Sequence, residues 1–97
     1  MKKGVNVRLR TGFFERKDFR LKAGAEGLTF KPAAKDCGEI TIPAASIRSV
    51  TFYEAKLKME IQADGLTDAY FADKNGWLEA MLAIKEKTGV KTICEMN

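Results

Sequence analysis

Six basic side chains between Val7 and Ala23 have the types and spacing that anion recognition needs. Arg8 and Arg10 alternate with Val7 and Leu9, while Arg20 and Lys22 alternate with Phe19, Leu21 and Ala23. Successive side chains of an extended chain point to opposite faces, so the cations share one face and the apolar residues take the other. Arg16 and Lys17 lie between the two runs. Guanidinium and ammonium groups gathered in this way form charge-assisted hydrogen bonds to phosphate or carboxylate oxygens. With Leu9 and Ala23 both facing a core, odd positions pair with odd: Leu9 with Ala23, Thr11 with Leu21, Phe13 with Phe19. This register predicts a five-residue loop, Phe14-Glu15-Arg16-Lys17-Asp18. Phe14 then leaves the core beside Arg16 and Lys17, as a contact for a membrane surface or a partner. A bulge at Gly12 would instead bury both phenylalanine rings.

Catalytic chemistry finds little to work with. The chain has no histidine, the side chain that most readily exchanges protons near neutral pH. Ser46 and Ser49 lack a recognisable base, and Asp36, Glu39, Asp64, Asp68 and Asp73 are spread over turns and strand ends. No glycine-rich phosphate loop of the required spacing occurs. Cys37 and Cys94 are too few for the usual four-ligand metal site. The expectation is therefore a protein that is not an enzyme and needs no metal or cofactor.

Composition supports a single small domain spanning 1–97, 45% hydrophobic and 31% charged, with a net charge of +4. The excess is modest, 17 basic against 13 acidic residues, and no long basic run marks a dedicated nucleic-acid binder. Nucleic acid is accordingly not an expected partner. Two cysteines fit a reducing compartment better than a disulfide scaffold, so a cytoplasmic location is expected. Met1-Lys2-Lys3 leads into Gly4-Val5-Asn6-Val7-Arg8, which is no apolar leader core. No stretch approaches the roughly 18 apolar residues of a membrane span.

The elements that must position the basic residues read as strands first and one helix last. Strands are predicted around Val5–Leu9, Phe19–Ala23, Leu28–Phe30 and Ile40–Ile42, the last stopped by Pro43. Val50 and Phe52 mark a fifth strand. Leu57, Met59, Ile61 and Ala63 mark a sixth, and Leu66 to Phe71 a seventh. Asp64-Gly65 predicts a two-residue hairpin between the last two. Asp73 or Asn75 can cap a helix over about 75–88, on which Trp77, Met81, Ile84 and Thr88 form an apolar stripe widened by Leu78 and Leu82. Trp77 reads as a core plug and Gly89 as the helix stop, leaving a short C-terminal tail. Tyr53 and Tyr70 are rim candidates. The fold class is mainly β, a seven-stranded antiparallel barrel or sandwich capped by one C-terminal α-helix.

Seven strands and a capping helix resemble the pleckstrin-homology-like superfamily. Trp77-Leu78-Glu79-Ala80-Met81-Leu82-Ala83-Ile84 resembles the tryptophan-bearing helix of those domains. The stretch Ile40-Thr41-Ile42-Pro43-Ala44-Ala45-Ser46-Ile47-Arg48-Ser49-Val50 resembles the fourth-to-fifth strand passage of GRAM-like and bacterial pleckstrin-homology-like domains. The resemblance implies a non-catalytic binding module, which in that superfamily engages phosphoinositides, peptides or proteins, or serves assembly. Arg10, Arg20 and Lys22 resemble the basic triad of its lipid-binding members, with arginine and lysine exchanged. Arginine and lysine are also routine on a solvated strand face, and Glu15 and Asp18 stand in the same loop. Protein binding or self-association is therefore the leading expectation. The alternative is an anionic membrane or phosphoinositide headgroup held by Arg8, Arg10, Arg16, Lys17, Arg20 and Lys22.

Overall fold

A computed structural model describes residues 4–10, 16–33 and 38–95. The chain runs β1 (Val5–Arg10), β2 (Arg16–Gly24), β3 (Gly27–Pro32), β4 (Ile40–Pro43), a short 3-10 turn at Ala44–Ser46, β5 (Ser49–Tyr53), β6 (Lys58–Gln62), β7 (Leu66–Phe71), α1 (Lys74–Thr88) and β8 (Thr92–Glu95). One sheet takes all eight strands in the order β4-β3-β2-β1-β7-β6-β5-β8. Two antiparallel meanders, β1 to β4 and β5 to β7, are joined where β1 pairs with β7, Val7 facing Phe71 and Leu9 facing Ala69.

Period-two alternation sorts the residues as expected. Val7, Leu9, Phe19, Leu21, Leu28, Phe30, Val50, Phe52, Met59, Ile61, Ala69 and Phe71 fill the inner face, and all are buried. The helix α1 closes that face, packing chiefly on β2. Its N-terminus is capped by Asp73, whose Oδ1 accepts from the Gly76 amide at 2.8 Å. It ends at Gly89, which turns the chain through a left-handed conformation with φ 71°.

Trp77 is 1% exposed. Its ring meets Phe52 edge-on, with centroids 5.9 Å apart and planes at 82°. Its indole N–H donates to the Lys58 carbonyl at 3.3 Å. The large apolar body is thus buried without orphaning its one polar atom.

Four expectations are corrected. The sheet is open rather than closed into a barrel, its outermost strands being β4 and β8. There is an eighth strand where a tail was expected, and it is parallel. Past Gly89 the β-branched Thr92 and Ile93 line up along β5, where the Val50 amide and, just past the strand, the Glu54 amide donate to the Lys91 and Glu95 carbonyls at 2.9 and 3.0 Å. β8 thereby covers the edge that β5 would otherwise leave bare. The β6–β7 connection is three residues, Ala63 to Gly65, because Gln62 pairs with Leu66. On α1 the stripe is Trp77, Ala80 and Ile84, so Leu78 and Leu82 point outward at 36% and 55% exposure.

Gly27 is the backbone position that joins β3 to β4. Its φ is +143°, and a Cβ there would fall 2.2 Å from the Ile42 carbonyl oxygen. Only glycine lets the two backbones approach so closely.

Candidate functional site

The hairpin register decides which cations meet. β1 and β2 pair Leu9 with Lys17, Val7 with Phe19 and Val5 with Leu21, six residues away from the expected Leu9–Ala23 pairing. The parity is unchanged, so the sidedness of every described residue survives. The connection becomes residues 11–15, Phe13 and Phe14 among them, and these lie outside the described residues. The reason is the second neighbour of β1. Pairing with β7 sets Val7 against Phe71, and Phe19 completes the same apolar row.

On the outer face the register builds a cationic surface from the strands upward. Arg8 lies between Asp18 on β2 and Tyr70 on β7. Its Nε donates to Asp18 Oδ1 at 3.0 Å, with both side chains more than half exposed. Such a pair contributes at most about 1 kcal/mol, and its main effect is to neutralise one cation. Arg20 is the cross-strand partner of Lys31, and Arg10 that of Arg16. Two arginines directly opposite each other repel. Arg16 relieves this by laying its guanidinium over the Tyr70 ring, 4.3 Å from the centroid.

These side chains border a half-open groove of about 910 Å³ lined by Arg8, Arg16, Arg20, Lys31 and Lys56, with Asp18 the one carboxylate in its wall among the described residues. Among the described residues no carboxylate pairs with Arg10, Arg20 or Lys31.

Of the residues named from the sequence, Arg8, Arg16 and Arg20 line the groove. Arg10 stands beside it as the partner of Arg16. Lys22 shares the outer face but borders a second cleft of about 430 Å³, between α1 and the β1–β2 pair. Lys17 does not belong to the cluster. It pairs with Leu9 and so has the parity of the core-facing residues.

Sequence reasoning missed Lys31 and Lys56. Lys31 was readable as the residue after Phe30 in a strand. Lys56 was not, since only the Glu54–Leu57 turn, with Leu57 at φ +48°, carries it to the groove. Cys37 also lies outside the described residues.

The same face beyond Tyr70 carries both signs of charge. Lys58 Nζ meets Glu60 Oε2 at 3.1 Å, and the Tyr53 hydroxyl donates to Glu60 Oε1 at 3.2 Å. Asp68 is the cross-strand partner of Glu60. Desolvation, followed by the Glu60 charge and hydrogen bond, raises the Tyr53 pKa above its ordinary 10.0. For Lys58, desolvation works against the charged form, but the Glu60 bond and the Asp68 and Glu60 charges outweigh it and the pKa is raised. The outer face is thus divided into a cationic half on β1–β3 and a half on β5–β7 that carries both signs.

No protein-family model matches the chain, and no curated protein matches it either. No helix among the described residues is long and apolar enough to cross a membrane.

Proposed function

We propose that this chain is a non-catalytic interaction module whose partner is anionic and is held by the basic groove. The observation that carries this reading is the groove wall, where the described residues set five cations against one carboxylate. A solvated strand face mixes its charges, as the β5–β7 half does. The β1–β3 half gathers one sign, with Arg10 opposite Arg16 and Arg20 opposite Lys31. Among the described residues no carboxylate pairs with Arg10, Arg20 or Lys31, and uncompensated like charge of this kind is a cost met where a surface serves a ligand.

The pleckstrin-homology-like reading is supported by the two meanders joined through β1 and β7 and by the helix bearing Trp77. It adds the expectation of a binding module and does not by itself choose between a protein and a lipid partner.

The test is fluorescence anisotropy with two labelled probes, hexaglutamate and inositol hexakisphosphate, in low and physiological salt. At least one probe binds in low salt, loses tenfold or more in affinity as the Debye length shrinks to about 8 Å, and is lost in Arg20→Glu/Lys31→Glu. Failure of both probes in low salt, or undiminished binding to the double variant, overturns the proposal.

A further inference from the structure

Resting on that reading, we infer that the groove takes a short acidic segment of a partner protein, extended along β2, with two carboxylates four residues apart. The geometry has two anchors. Arg20 and Lys31 form one cross-strand pair of cations, and Arg16 and Arg10 form the other. Arg16 and Arg20 lie on the same face of β2 four residues apart, which is about 13 Å of strand. Between them stands Asp18, already bonded to Arg8 at 3.0 Å. The pattern along β2 is therefore cation pair, neutral pair, cation pair.

An extended polypeptide laid over this strand has the same rise per residue as the strand beneath it. Carboxylates at its positions i and i+4 meet the two anchors, and a third at i+2 meets Asp18 and gains nothing. A compact phosphorylated headgroup reaches one anchor and leaves the other unused.

A nucleic-acid strand fits less well. Bases need uncovered aromatic faces, but Arg16 covers Tyr70 at 4.3 Å and Lys58 lies 5.3 Å from the Tyr53 centroid. A long polyanion would also run on toward Glu60 and Asp68, which pair across β6 and β7. A membrane would bring the outer sheet face to the lipid. Of the large apolar side chains exposed among the described residues, Leu66 alone has outer-face parity, on β7 outside the groove wall, while Leu78 and Leu82 are on α1, which covers the opposite face.

The experiment compares nine-residue labelled peptides of equal charge, each with two glutamates in a serine-glycine background. In one the glutamates are four residues apart, and in the other they are adjacent. A third peptide adds a glutamate midway between the spaced pair. The same titrations use vesicles with and without anionic lipid and a single-stranded oligothymidylate.

The spaced peptide is expected to bind at least fivefold tighter than the adjacent one, and the midway glutamate to change affinity less than twofold. The preference for spacing disappears in Arg16→Gln and in Arg20→Gln. Both positions are exposed, and unchanged circular dichroism confirms that each variant folds. Equal affinity for both spacings overturns the inference, as does tighter binding to anionic vesicles or oligothymidylate. Those outcomes leave the anion-binding reading standing, whereas no binding to any anion in low salt removes both.

Discussion

Trp77→Ala tests whether α1 closes the core, on which the shape of the outer face depends. Trp77 is among the largest fully buried side chains and touches Phe52 edge-to-face. Removing an aromatic side chain of this kind from a packed core costs about 3–5 kcal/mol. Trp77→Phe keeps a ring against Phe52 but loses the indole donor to the Lys58 carbonyl. That bond is long at 3.3 Å, so its loss belongs at the low end of the usual range, about 0.5–1 kcal/mol. The unfilled volume of the second ring adds about 1–2 kcal/mol, giving roughly 2 kcal/mol for the phenylalanine variant. A domain of this size has about 5–15 kcal/mol in all, so the alanine variant gives up a large share. Urea unfolding followed by far-ultraviolet circular dichroism measures both, since the variants lack the indole fluorophore. A loss below about 1 kcal/mol for Trp77→Ala would refute the packing argument.

Other consequences can be checked on the same footing. Gly27→Ala destabilises by about 2 kcal/mol or more, because a Cβ would meet the Ile42 carbonyl and the backbone would be strained at φ +143°; a urea midpoint equal to that of the parent protein would contradict this. Leu82→Gln changes stability by less than about 0.5 kcal/mol, its side chain being 55% exposed, in contrast to any polar residue at Ile84. Alkaline pH weakens the fold: both the Tyr53 and Lys58 pKa values are raised in the folded state. The folded state therefore holds these protons more tightly, the stabilisation is complete below the unfolded values and it is lost as pH rises through the folded ones. Urea midpoints measured between about pH 9 and 11.5 should fall less steeply in Tyr53→Phe than in the parent; equal slopes would show that Tyr53 has no part in the loss.

The parts of the fold that local pattern controls were legible in the chain. Alternating apolar residues such as Met59 and Ile61 marked the inner face, Gly89 marked the end of the helix, and its start was narrowed to a cap at Asp73 or Asn75, of which Asp73 is the cap. The β1–β2 register was not legible, because a period-two pattern fixes the side of a residue and not its partner. A slide of six residues leaves Leu9 and Phe19 buried and Arg8 and Arg20 exposed. Only the distant pairing of Val7 with Phe71 chooses among such slides. Leu78 and Leu82 misled for a related reason. The apolar stripe of α1 was wider than the sheet could cover, and small Ala80 rather than either leucine faces the strands.

The candidate site divides in the same way. Arg8, Arg10 and Arg20 were visible as outward cations along the first two strands and Arg16 as a loop residue between them, but their grouping into two pairs around Asp18 follows from the register. Lys17 was misplaced because the loop was expected to contain it, whereas β2 begins at Arg16 and carries Lys17 to the other face. Lys31 and Lys56 join the groove through β3 and the β5–β6 turn, which neighbour it only in three dimensions. β8 has a clear β-branched signature in Thr92 and Ile93, yet four residues after a helix give no sign of which edge they will join.

The most direct measurement of the central claim is an amide chemical-shift titration of the labelled protein with the spaced acidic peptide in low salt. The account predicts shifts concentrated at Arg8, Arg16, Asp18, Arg20 and Lys31, with the amides of Leu78 and Leu82 unmoved. Shifts centred on α1 and its cleft with β1 and β2, or none at the groove at saturating peptide, would contradict it.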